Sequence, residues 1–173
     1  VTVAVRSKEG QKVTDAIDAP GSTIINTRDV TTGETALHIV TKRRDLAWLK
    51  FLLAKGADAN LRDVRGQTPL VVACNLGFVE AMEALIASGA QVDIPSDTGE
   101  TPLIAAVHRH DTAMMRVLLA AGANPDRSDS AGRSARDYAR QENPDGQLLS
   151  VIEANAKKRG GAGSGSTYGP KLY

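Results

Sequence analysis

Residues able to do chemistry are scarce in this chain. It has three histidines and one cysteine in 173 residues. His108-x-His110-Asp111 comes closest to a metal-ligand cluster, and an enzymatic reading would place a metal at His108 and His110. The spacing is poor for it, because positions i and i+2 of a helix do not face the same way. No Cys pair and no His-Glu-x-x-His run accompanies it, so the favoured reading is a surface or loop-end position. Cys74 cannot form an internal disulfide, and its place in the run LVVAC predicts a small buried core residue. The glycines between 160 and 165 match a phosphate loop in composition only. No strand leads into them and no Gly-Lys-Ser/Thr follows. No local signature of a Ser-His-Asp arrangement appears. The expectation is a protein without catalytic residues, metal or cofactor.

Composition narrows the partners. The formal net charge is +1 and aromatic residues make up 3%. That rules out a strong global field and any obvious base-stacking platform, and so the simplest nucleic-acid reading. No apolar run is long enough to span a membrane. The chain begins at Val1, without Met and inside a pattern. A removed export signal or a trimmed piece would explain that.

The elements that would carry binding residues are set by a repeat. Gly33, Gly66, Gly99 and Gly132 stand 33 residues apart, and Gly56-Ala57, Gly89-Ala90 and Gly122-Ala123 keep the same period. Thr35, Thr68, Thr101 and Ser134 follow in step. A fixed period of this length means one small unit stacked on copies of itself. Each Thr is placed to cap a short first helix, and Pro69 and Pro102 follow at the first helical position, where a missing N–H is harmless. The second helices, LAWLKFLLAK, VEAMEALIAS and TAMMRVLLAA, show helical apolar spacing, as in Leu46, Leu49, Leu52 and Leu53. They close at Gly56, Gly89 and Gly122.

The stretches TTGETALHIV, RGQTPLVVAC and TGETPLIAAV, with GADAN, GAQVD and GANPD, resemble the ankyrin repeat. The resemblance implies an all-α solenoid of β-turn and helix-pair units. The unit boundaries read as an N-terminal cap at 1–29, repeats at 30–63, 64–96 and 97–129, and a C-terminal cap at 130–156. In the N-terminal cap the alternation Val1-Thr-Val3-Ala-Val5 is compatible with a strand, but the following register favours helix. The link GSTIINTRDVTTG is long and should bulge at the first turn. Asn143-Pro144-Asp145-Gly146 is a loop signal in the closing unit, where Tyr138 is an aromatic able to pack under the cap. Residues 157–173 form a Gly/Ser-rich tail ending in Tyr168-Gly-Pro-Lys-Leu-Tyr173.

What the resemblance implies for function is binding of another protein in a concave groove of turn tips and first-helix ends, without catalysis. The matching positions in repeat one are Thr31, Thr32, Glu34, Lys42 and Arg43. In repeat two they are Val64, Arg65, Gln67, Asn75 and Leu76. Repeat three supplies Asp97, Thr98, Glu100, His108 and Arg109, and the closing unit Ser130, Ala131, Arg133, Gln141 and Glu142. Trp48, on a second helix, is an alternative convex anchor or packs on its neighbour. The family favours Gly where Gly77 stands, but Arg44 and His110 replace it in the other repeats. With Lys42, Arg43, His108 and Arg109 they would make a basic lip opposite Glu34 and Glu100. The lip would suit an acidic or carboxylate partner; equally, it is a solvated charged face. The family's motif histidine survives only as His38, where the resemblance implies a structural role. Lys42→Glu with Arg109→Glu should then abolish capture and leave unfolding nearly unchanged. Other readings are self-contact through the tail, or an accessory factor for a periplasmic redox enzyme. Similar small bacterial proteins are often exported, which favours a periplasmic or secreted location.

Overall fold

The structure, a computed structural model, describes residues 2–19 and 24–160. Helices α1 (Thr2–Arg6) and α2 (Gly10–Asp18) precede a 3₁₀ turn at Ile24–Asn26. Three helix pairs follow: α3 (Ala36–Lys42) with α4 (Leu46–Ala54), α5 (Pro69–Leu76) with α6 (Val79–Ala87), and α7 (Pro102–His108) with α8 (Thr112–Ala120). A closing pair, α9 (Ala135–Glu142) and α10 (Gln147–Gly160), completes the described chain. The N-terminal segment is helical, not a strand, with Val5 buried.

Local chemistry explains these boundaries. The Thr68 and Thr101 hydroxyls accept the Val71 and Ile104 N–H groups at 3.4 and 3.3 Å, with proline at the first helical position in both. Second helices start differently. The Asp45 and Asp111 carboxylates accept the Trp48 and Met114 N–H groups, both at 3.1 Å. Between first and second helix the backbone turns through one left-handed residue. Gly77 does so at φ 64°, but Lys8, Arg44 and His110 hold φ of 61°, 58° and 54°. A side chain there is strained by roughly 1 kcal/mol or more.

Stacking builds two layers. The first helices α1, α3, α5, α7 and α9 pack on one another in chain order, and α4, α6, α8 and α10 form the second row. Leu37, Leu70 and Leu103 fill the first row, while Leu49, Leu52, Leu85 and Leu118 fill the space between rows. Cys74 is buried in this layer, and burial pushes its thiol pKa far up. Trp48 packs on the N-terminal cap: a Cβ added to Gly10 would come within 2.9 Å of its ring.

Two hydrogen-bond ladders run across the units. At the turn tips, Val64 N–H donates to Thr32 O (3.0 Å), Asp97 to Arg65 O (3.4 Å) and Ser130 to Thr98 O (3.0 Å). On the loops after the second helices, Asn26, Asn60 and Asp93 side chains accept N–H bonds from Asp58, Gln91 and Asn124 at 2.7, 2.8 and 3.0 Å. The first turn does carry one residue too many. Gly33 N–H reaches Asp29 O across a five-residue turn, whereas Gly66 reaches Asp63 and Gly99 reaches Ser96 across four. The surplus residue, Val30, stands fully exposed at 101%. At the far end, α10 continues to Gly160, past the expected boundary at 156. Residues 20–23 and 161–173, and with them the readings placed on the tail, lie outside the described residues.

Candidate binding face

The tip ladder holds one residue from each turn at a common edge, and the first helices bring their last turns alongside. Most groove positions named from the sequence therefore share one side of the molecule. Thr31, Arg65, Asp97, Thr98, Ser130, Ala131 and Arg133 are exposed at the tips. Lys42, Asn75, His108, Arg109 and Gln141 are exposed at the first-helix ends. Thr32, Arg43, Gln67, Leu76, Glu100 and Glu142 are half-buried. Val64 is an apolar tip, 64% exposed.

Glu34 departs from that pattern. It is buried at 7% exposure and is not a free acidic tip. Its carboxylate forms an ion pair with Lys42 and a second, at 3.3 Å, with Arg6. Burial alone would raise its pKa, but hydrogen bonds and charge from Lys42, with Thr32 and Arg6, bring it below the ordinary value. Lys42 is thus half of a structural pair, eight residues from its partner, and a charge reversal there would not be neutral for folding.

The closing unit is likewise tied up. Arg133 donates to Gln141 at 3.1 Å. Tyr138 donates to Asp129 at 2.6 Å, which holds that carboxyl below its ordinary pKa and raises the phenol. His108 donates to Glu142 at 2.6 Å, and His110 lies 3.4 Å from the other carboxylate oxygen. The i, i+2 argument fails here because α7 ends at His108 and His110 lies beyond it in a left-handed conformation. Both rings therefore reach one carboxylate. Among the described residues no group of three or more His, Cys, Asp or Glu is disposed to hold a metal ion.

The middle of the face differs. Among the described residues the side chains of Arg65, Gln67, Asn75 and Glu100 take part in no hydrogen bond or ion pair. Here one cation, one anion, two amides and the apolar Val64 sit on adjacent units with unspent hydrogen-bonding capacity.

The basic lip divides into two groups. Lys42 and Arg43 are paired with carboxylates, Glu34 and Asp45. Arg44 and Arg109 instead converge on the end of α5, donating to Leu76 O and Asn75 O, each at 2.9 Å. Arg44 also lies over the Phe78 ring. These guanidiniums cap a helix C-terminus, where cations are favoured, and keep their net charge. Gly77 stands beside them, where an added Cβ would come 2.5 Å from Arg109 Nη2 and the guanidinium would have to move.

His38 is built into the stack. Its Nδ1 accepts the Thr35 N–H at 3.1 Å and its Nε2 donates to Gln67 O of the next turn at 2.8 Å. Only the neutral Nε2–H tautomer does both. Burial depresses its pKa below 6.5.

Repeating units of a hydrogen-bonded turn and a helix pair, stacked in two layers and capped at both ends, define a helical repeat solenoid. A family model of ankyrin repeats, in three copies, matches residues 3–96 and 37–129. The chain belongs to the ankyrin-repeat family, with the all-α, three-repeat architecture that its sequence implied. No match was found among curated proteins. Ankyrin repeats are in general protein–protein interaction modules, and the family is typically non-catalytic. No helix among the described residues is long and apolar enough to cross a membrane.

Proposed function

We propose that this chain is a non-catalytic binding module whose protein partner lies across the turn tips and first-helix ends of repeats two and three. The supporting observation is the cluster of unpartnered side chains there, Arg65, Gln67, Asn75 and Glu100, beside exposed Val64. The end units spend the equivalent positions on themselves, through Glu34–Lys42 and Arg133–Gln141. A partner carboxylate suits Arg65, and a partner cation or N–H suits Glu100; the amides of Gln67 and Asn75 match backbone donors and acceptors. Complementary charge at this face would also speed encounter and exclude wrong partners.

Affinity capture from native lysate tests the reading, with Arg65→Glu and Asn75→Ala as the variants. Neither side chain supports the fold, so both variants should unfold like wild type within about 0.5 kcal/mol. A protein retained by wild type and released by Arg65→Glu is the expected result. Capture that is indifferent to both variants would place the binding face elsewhere.

A further inference from the structure

We propose that the open cleft between the N-terminal cap and repeat one binds an acidic peptide segment, a run of Asp or Glu side chains. This rests on the protein-binding reading above but concerns a different surface. The cleft has a volume of about 660 Å³ and is lined by Lys8, Arg43, Arg44, Asp45 and Trp48. Three basic residues and one acidic residue thus line it, although the Arg44 guanidinium itself is turned to the end of α5. The one carboxylate is already committed: Asp45 accepts the Trp48 N–H at 3.1 Å and pairs with Arg43 at 3.1 Å. Glu9, the nearest acid on the cap, is drawn to Lys12.

The cations are also pre-positioned. Arg43 donates to the Val5 carbonyl, and Arg44 is fixed by Leu76 O and the Phe78 ring. A guanidinium has five N–H donors, so each retains several for a ligand. Their immobilisation is settled on folding and adds little entropy loss at binding. The Lys8 ammonium takes part in no hydrogen bond or ion pair among the described residues. Lys8 and Arg44 both keep a left-handed backbone in the position that Gly77 takes in repeat two. The strained residue in each case is a basic residue that lines the same cleft. Carboxylates spaced along an extended chain fit basic groups spread over two units better than one compact ion does.

Trp48 is the only tryptophan in the chain and lines the cleft, so its emission reports occupancy. The test titrates the full chain with hexaglutamate at low salt, with inorganic pyrophosphate in a parallel series. A saturable Trp48 change is expected, weakened by added salt and weakened about two- to fivefold in Lys8→Gly and Lys8→Gln. Lys8→Gly relieves a positive φ, so its thermal midpoint should equal or exceed that of wild type. Arg65→Glu should leave the titration unchanged. No saturable change, wild-type affinity in both Lys8 variants, or pyrophosphate binding as tightly as hexaglutamate would overturn the proposal. Loss of capture in Arg65→Glu with a flat titration would sink the cleft alone. A positive titration with charge-insensitive capture would sink the groove alone.

Discussion

His38 shows how one side chain can make stability depend on pH. It bridges Thr35 to the carbonyl of Gln67 only while neutral, and burial lowers its pKa from 6.5. A base with a depressed folded pKa binds fewer protons folded than unfolded. Its contribution is whole above pH 6.5 and is lost as pH falls from there through the folded pKa. Thermal midpoints should therefore drop as pH falls below about 6.5, and His38→Val should flatten that segment. Val71 holds the same position in repeat two, so valine fits the space. At pH 8 the variant should be less stable by about 1–3 kcal/mol, from the lost bond to the Gln67 carbonyl, which still accepts the Asp63 N–H, and from the orphaned Thr35 N–H. Lys42→Glu is a second residue-scale case. It sets a carboxylate against buried Glu34 and should cost about 1–3 kcal/mol, read from the urea midpoint, with Glu34→Gln restoring part of the loss. The sequence places Glu34 and Lys42 in the same groove, but nothing in a linear pattern tells that they meet. Their separation of eight residues matches no helical rule, because Glu34 precedes the N-cap Thr35 and lies outside α3.

At the scale of the element, the helices were legible because their punctuation is chemical: Thr with Pro at the starts, Gly at the ends, apolar spacing between. The Asp caps of α4 and α8 also follow a readable cue, an Asp directly after the left-handed residue. Helix ends that depend on another unit were not readable. Arg44 and Arg109 reach α5 from repeats on either side, and His110 joins His108 on Glu142 only because α7 has already ended. Gly77→Ala should lose about 1–3 kcal/mol by equilibrium denaturation, since it forces a left-handed alanine into the Arg109 guanidinium. Leu103→Ala, at a fully buried position of α7, should lose roughly 2–5 kcal/mol. Arg65→Glu should lose nearly nothing, and equal losses for the two would refute the division into core and face.

Across the whole molecule, stability is shared by neighbours, because each unit packs only on the next. Native-state amide exchange should find the slowest protons in α5 to α8, which have partners on both sides, and faster exchange in α1 and α2. The period also accounts for what the sequence revealed of the candidate site: it groups the candidate positions on one side, since equivalent positions fall in columns, but does not tell which columns are already spent. That depends on pairings within the end units, outside any repeat rule. The extra residue at Val30 has a practical consequence. Despite it, Thr32 still accepts from Val64, and the units downstream keep their step. The tips thus act as expansion joints, absorbing added length outward without disturbing the register of the array. A short reporter loop grafted beside Val30 should be carried in solvent with little change in thermal midpoint, whereas the same graft between Arg44 and Asp45 would push apart the capped helix ends.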